Sequence, residues 1–231
     1  MNENIYTHCI AVIVAGGQGL RMQNAIPKQF LPLNNKPILA HTINAFVQAL
    51  PGIRIVLVLP ATHFSYANAL LQHFPEGIDM SIVSGGSSRF ESVRNGLKEA
   101  RAEDIIFVHD GVRPLVSQQL IISCYEHAIR YGSAIPTLPL TDTIRHKEGE
   151  HSQTIDRSYL YAVQTPQTFK GDILLPAYEQ EYQPFFTDEA TVVENYGQAV
   201  HLVEGEKANI KITTPEDLRL AAALQSLYDE I

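Results

Sequence analysis

Residues 10–14 form an unbroken apolar run rich in β-branched side chains, and it ends at once in a glycine-rich turn, Ala15-Gly16-Gly17-Gln18-Gly19. A strand without polar alternation has no face to give to water, so it has to be covered on both sides; a parallel sheet with helices above and below does this. The rest of the chain follows the same logic. Apolar runs at 53–59, 80–83, 105–108 and 133–138 alternate with helical spacing at 37–50, 62–74, after the turn at 84–88, and at 117–131. This alternation predicts an α/β fold with a mostly parallel, twisted sheet and helices on both faces.

The glycine turn also predicts a ligand. Glycines at 16, 17 and 19 let the backbone turn sharply and approach a bound group closely, with their N–H groups free to face an anion. Arg21 and Lys28 add charge, the first as a fork of donors and the second as a point charge. No Gly-Lys-Ser/Thr follows, so the turn is not a Walker A loop, and Met22 stands where a dinucleotide fingerprint starting at Gly17 would need glycine. Between Glu3 and Glu76 there is no carboxylate, while Arg21, Lys28, Lys36 and Arg54 lie in that interval. The segment is locally cationic in a chain of formal charge −8. An overall acidic balance argues against general nucleic-acid binding, so the cationic loop is expected to serve a small polyanion.

A second glycine turn, Gly85-Gly86-Ser87-Ser88, opens a helix at a strand's carboxyl end, the edge where open α/β sheets bind ligands. It lacks the Gly-x-Ser-x-Gly elbow of hydrolases, so a base-recognition loop is expected with Ser87 or Ser88 capping the helix. The strand at 105–108 ends in His109-Asp110-Gly111-Val112-Arg113. Asp110 is the candidate Mg²⁺ ligand, since that ion takes one or two carboxylates plus phosphate oxygens. His109 faces the other way and is expected to be a packing residue. Arg113 could bind an anionic ligand or pair with a carboxylate to hold its loop. Lys211, read as lying in an apolar strand over 209–213, calls for an anionic partner and is a third cation for the phosphates. Thr187 is expected to cap the helix that follows it.

From 139 to 157 the alternation stops, and TDTIR, HKEGEH and SQTIDR read as extended segment, polar turn, extended segment. Such a hairpin is too poor in apolar residues to stand alone, so it is expected to project as an arm onto a second copy of the chain. Cys9 and Cys124 have neither metal-site nor redox spacing and are expected to be small buried hydrophobes. No apolar run is long enough for a membrane span and the first residues lack a signal-peptide pattern, so no membrane association is expected and the cytoplasm is the expected compartment.

Taken together, AGGQGLRM, PKQF, SSRFESVRNGL, VHDGVRP, DTIR, TIDR, QTPQTF, TDEA and NIKITTPEDL resemble the 2-C-methyl-D-erythritol 4-phosphate cytidylyltransferases of the non-mevalonate isoprenoid pathway, over nearly the whole chain. The resemblance implies a single Rossmann-like nucleotidyltransferase domain over 1–231 that joins CTP to the polyol phosphate and releases pyrophosphate, with Mg²⁺ as cofactor and the arm interlocking a homodimer. It implies Arg21, Lys28 and Lys211 around the CTP phosphates, Asp110 at the metal, and Ala15, Gly16, Gly86 and Ser92 around the cytidine. Thr143, Arg157 and Thr165 would contact the acceptor phosphate, Arg157 arriving from the partner's arm. Ribitol 5-phosphate cytidylyltransferases share the fold and most motifs; the Asp156-Arg157 pair looks more like the methylerythritol enzymes. A catalytically silent nucleotide-binding protein on this scaffold would be expected to lose one of the phosphate cations, and this chain has all three. Three departures from the family pattern stand out: Gly16 and the pair Gly111-Val112 in place of alanines, and Ala208 at a position that is often acidic.

Overall fold

The computed structural model describes residues 8–17, 26–74 and 77–229. Strand β1 (Cys9–Val14) leads through the first glycine turn to a single 3-10 turn at Lys28–Phe30 and a small antiparallel pair, β2 (Pro32–Leu33) and β3 (Lys36–Pro37). Asn34 and Asn35 both have positive φ, the backbone that a two-residue hairpin loop requires and asparagine tolerates. Helix α1 (Ile38–Ala49) starts directly after Pro37, and β4 (Arg54–Leu59) follows. The helix expected over 62–74 is broken into a 3-10 turn at Ala61–His63, α2 (Phe64–Leu70) and a second 3-10 turn at Leu71–His73. Then come β5 (Met80–Ser84), α3 (Arg89–Leu97), β6 (Ile105–Asp110), α4 (Gln118–Tyr131) and β7 (Ser133–Pro139). The arm is β8 (Ile144–Glu148) and β9 (His151–Ile155), a separate two-stranded sheet. The chain closes with β10 (Tyr161–Val163), β11 (Gln167–Lys170), α5 (Gly171–Ala177), α6 (Glu189–Asn195), β12 (Leu202–Glu204) and α7 (Pro215–Asp229).

The main sheet has the order β10-β7-β11-β6-β1-β4-β5, with β12 also paired to β7. Pairings of β1 with β4 and β6, of β4 with β5, and of β7 with β12 are parallel; β11 and β10 insert antiparallel. Central β1 shows why its sequence has no polar alternation. Cys9, Ala11 and Ile13 point into one core with α1 and α4, while Ile10 and Val12 point into another with α3, α5 and α6. Each large apolar side chain buried this way contributes roughly 1.5–3 kcal/mol. Gly96 lets α3 lie close on the sheet, because a Cβ there would sit 2.6 Å from Val12 Cγ1. A third cluster, including Leu31, Ile38, Val112, Ile212 and Ala221, seals α7 against the β2–β3 corner.

Two further local expectations are corrected. Residues 209–213 are not a strand: the segment is irregular, and its backbone is tied by single bonds, Arg113 Nη1 to Asn209 O, Lys28 Nζ to Ile212 O and Ile212 N–H to Val112 O, rather than by a ladder. The short strand before it is Leu202–Glu204. Asp188, not Thr187, caps α6, because a reciprocal capping box with Thr191 satisfies two donors at once. Cys9 and Cys124 are free and buried as expected, and burial pushes both thiols up to about 12. No helix among the described residues is long and apolar enough to cross a membrane.

Candidate active site

Parallel strands β1, β4, β5 and β6 deliver their carboxyl ends to one edge, and a cleft of 620 Å³ opens there. Ala15, Gly16, Gly17, Lys28, Gly85, Gly86, Ser92, Asp110 and Lys211, scattered over almost two hundred positions, all line it. The two glycine turns meet across the cleft. Ala15 N–H donates to Val58 O and Gly85 N–H to Leu59 O, so both turns are continuations of the sheet edge. Ser88 caps α3 through Glu91 N–H, and Ser92 Oγ accepts from Gly86 N–H while donating to Ser88 O. Ser92 thereby fixes the second turn as well as lining the cleft.

Of the two reasons for these glycines, an unusual dihedral and close approach of a ligand, the dihedral is not needed. Neither Gly16 nor Gly17 has a positive φ; a Cβ at Gly16 would lie 4.0 Å from Ser92 Oγ, and one at Gly17 3.9 Å from Lys28 Cε. Both contacts are ordinary, so these positions keep space for a ligand rather than satisfying a forbidden dihedral. Gly16→Ala is therefore expected to fold like the wild type and to raise the KM of the ligand in this cleft about tenfold, the low end of the roughly 1–3 kcal/mol that one mismatched methyl in a pocket costs. Steady-state kinetics with a melting curve checks this. By contrast, a Cβ at Gly86 would lie 2.3 Å from Glu91 Cβ, and one at Gly111 2.9 Å from Ala15 Cβ and from Leu39 Cδ1. Gly19 and Arg21 lie outside the described residues.

Lys28 donates to Ile212 O at 3.1 Å and so stands on the same wall as Lys211, the residue before Ile212. Lys211 Nζ reaches Asp110 Oδ2 at 2.8 Å, the anionic partner that its sequence context required. Asp110 also lies 3.6 Å from Arg113 Nε and 3.8 Å from Arg89 Nε. Burial opposes its charge, but the three cations outweigh burial and hold the carboxyl well below the ordinary range. It is the one carboxylate on the cleft wall among the described residues. One carboxylate in a cleft lined by Lys28, Arg89 and Lys211 matches the donor set of a Mg²⁺ ion that completes its shell with phosphate oxygens and water, so the residues fit that ion.

A second pocket of 230 Å³ adjoins the cleft and shares Arg89, Asp110 and Lys211 with it; Arg113, Gln164, Thr165, Thr187 and Asp188 complete its wall. Arg113 donates Nη1 to Asn209 O at 2.7 Å and faces Asp110, which holds its loop, and it lines this pocket as well. Asn209 is fully buried and donates to Thr165 O, and Gln164 brackets Glu206 through its backbone O and N. These amides hold the irregular segment that carries Lys211. His109 is fully buried and lowered to about 3 by burial, hence neutral. Its Nε2 donates to Arg113 O, which leaves Nδ1 to accept from the Thr165 hydroxyl, and that hydroxyl accepts from Asp110 N–H. Thr165 is thus paired on both sides, and the peptide that follows it, Thr165–Pro166, is cis. Thr143 and Arg157 are exposed at the base of the arm and do not line either cavity; Arg157 Nη1 donates to Thr141 O.

Sequence reasoning missed Arg89, which lines both cavities, and Glu189, which binds it. Arg89 had a signal, a cation at the first position of the helix opened by the second glycine turn. Glu189 had none, since an acid at the start of a helix is accounted for by the helix dipole alone.

Known proteins match nearly the whole chain. The family model of 2-C-methyl-D-erythritol 4-phosphate cytidylyltransferase matches residues 9–226. A relative of that name from Bacteroides fragilis is 46% identical over 214 residues, covering 93% of this chain and 98% of the relative. One from Geobacillus kaustophilus is 40% identical over 217 residues, 93% of this chain and 95% of that one. Among solved structures, the 4-diphosphocytidyl-2C-methyl-D-erythritol synthase of Anaerococcus prevotii superposes with a TM-score of 0.80 at 27% identity, covering 94% of this chain and 98% of the other. The 2-C-methyl-D-erythritol 4-phosphate cytidylyltransferase of Thermus thermophilus gives 0.73 at 32% identity, covering 93% and 98%.

Proposed function

Because this chain belongs to the 2-C-methyl-D-erythritol 4-phosphate cytidylyltransferase family, we propose that its two joined cavities are the CTP and acceptor sites of one transfer reaction. The enzyme transfers a cytidylyl group from CTP to 2-C-methyl-D-erythritol 4-phosphate, giving 4-diphosphocytidyl-2-C-methyl-D-erythritol and pyrophosphate. The observation that carries the site assignment is the shared wall: Arg89, Asp110 and Lys211 face both the 620 Å³ cleft and the 230 Å³ pocket. A nucleotide in the first and a phosphate monoester in the second would meet at that wall.

The acceptor phosphate is already an anion near neutral pH, so attack of its oxygen on the α-phosphorus requires no general base. The barrier lies in bringing two polyanions together in line and stabilising the charge that develops, a task for positioning and electrostatics. In this reading Lys28 and Lys211 bind the triphosphate with Arg21, and the glycine turns admit the nucleotide with Ala15, Gly85, Gly86 and Ser92 around the cytidine. Asp110 would hold Mg²⁺, whose contribution when bound is to neutralise phosphate charge. Thr143, Arg157 and Thr165 are proposed contacts of the acceptor side, Thr165 by accepting from a hydroxyl of the polyol, since its own proton goes to His109.

Arg157 completes the acceptor site in this reading only if a second subunit's arm brings it there, since within one chain it is turned to Thr141. The proposed homodimer is expected as a particle of twice the chain mass in light scattering; a monomer that remains fully active would end the role of the arm. The substrate assignment is tested by pyrophosphate release from CTP and Mg²⁺ with 2-C-methyl-D-erythritol 4-phosphate and ribitol 5-phosphate in parallel. Strong preference for the first acceptor is expected, and preference for ribitol 5-phosphate would overturn it.

A further inference from the structure

Glu189 is completely buried, and a carboxylate in a protein core persists only where its charge is matched. Arg89 matches it in a bidentate pair, Nη1 to Oε1 at 2.5 Å and Nη2 to Oε2 at 2.9 Å. The Tyr178 hydroxyl donates to the same Oε1 at 3.0 Å, and its ring stacks on Phe90, the next residue of α3. Both terminal nitrogens of Arg89 are therefore tied down on the core side. What remains is its Nε, 3.8 Å from Asp110 Oδ1, the second N–H of each terminal nitrogen, and a face that borders both cavities. Burial opposes the arginine's charge, yet Glu189, with help from Asp110, raises its pKa above the ordinary value.

The neighbours of Glu189 belong to the acceptor side. Thr187 and Asp188 line the smaller pocket, and Gln167 clamps the turn by donating to Asp188 Oδ2 and accepting from Ala190 N–H. The start of α6 thus reaches the acceptor pocket with two residues and the nucleotide cleft, through Arg89, with the third. A buried ion pair is a weak source of stability, since an apolar pair of similar volume often does as well. Its location at the partition between two anion-binding cavities gives it another use.

We propose that Glu189 is a positioning residue for the transfer step, fixing the Arg89 guanidinium in the partition so that one directed cation serves the phosphates entering from both sides. The proposal rests on the cytidylyltransferase reading. Glu189 touches no substrate and acts only through Arg89.

The test is a double-mutant cycle in the full chain, Glu189→Gln, Arg89→Met and the pair together, read by pyrophosphate release and by thermal melting. Arg89→Met strands the buried Glu189 carboxylate and Glu189→Gln takes the bidentate partner from Arg89, so each is expected to melt lower than wild type; the double variant removes both charges and is expected to recover most of that loss. Turnover is expected to follow a different pattern. Arg89→Met lowers kcat by a factor on the order of 10², and Glu189→Gln adds no further loss in the Arg89→Met background. Glu189→Asp, which keeps the charge and shortens its reach by one methylene, guards against a Glu189→Gln variant that does not fold. It is expected to lower kcat about tenfold with the CTP KM little changed, as one weakened charge-assisted hydrogen bond would. Recovery of turnover together with stability in the double variant would make the pair merely structural and overturn the proposal. So would a Glu189→Asp enzyme of wild-type kcat, or an equal loss from Glu189→Gln with and without Arg89. A wild-type protein silent with both acceptors would overturn the cytidylyltransferase reading itself; an active wild type with any of these patterns overturns only the role of Glu189.

Discussion

Lys211→Ala is expected to lower turnover by a factor on the order of 10²–10³, the usual cost of removing one preorganised donor from a site where charge develops. The fold should tolerate the change. Lys211 is nearly half exposed, the segment around it is held by Asn209, Gln164 and Arg113, and Asp110 keeps Arg89 and Arg113 as neighbours when the lysine is gone. Melting should therefore change little while kcat collapses, and Lys28→Ala on the same wall should behave alike. Pyrophosphate release under saturating CTP, with a melting curve for each variant, checks both. Near-wild-type turnover in a folded Lys211→Ala protein would remove that lysine from the reaction.

Asp110→Asn is expected to separate binding from turnover. The carboxylate lies among three cations, at 2.8 Å from Lys211, 3.6 Å from Arg113 and 3.8 Å from Arg89. An isosteric amide removes the charge that offsets them. Breaking a fully buried pair costs about 3–5 kcal/mol; solvent reaches Lys211 and screens its share, so a loss on the order of 1–3 kcal/mol is expected. A triphosphate restores the missing negative charge, so CTP without added metal should bind the variant at least as tightly as the wild type and close much of the gap in melting temperature. Turnover with Mg²⁺ should nevertheless fall by a factor on the order of 10² or more. Calorimetric CTP titration beside the turnover assay reads both effects. Weaker metal-free CTP binding with intact turnover would contradict the assigned role of Asp110.

The parts of the site that were legible in sequence are those in which chemistry and backbone signal coincide. Gly16 and Gly17 follow a buried strand, Gly85 and Gly86 follow the half-buried edge strand β5, and Asp110 closes a buried one, so the sheet's parallel topology forces them to a common edge. Lys211 was legible because a cation among apolar neighbours demands an anion. The strand assigned around it was wrong, because apolar alternation over 209–213 reflects two side chains, Ile210 and Ile212, packing under α7 and not a hydrogen-bonded ladder. The helix over 62–74 failed similarly: its apolar spacing is helical, but only Ala67 and Leu70 are buried, and tight turns on both sides cut it short.

Local periodicity and motifs contiguous in the chain were enough for the α/β layering, the two-stranded hairpin, the glycine turns at the cleft and the family. Which charges neutralise one another was settled only in three dimensions. Arg89 meets Glu189 a hundred residues away, Thr165 satisfies His109 and Asp110 together, and Gln164 and Asn209 anchor the segment carrying Lys211. A buried polar group needs a partner in space, and nothing in its own stretch of chain says which distant group will supply it.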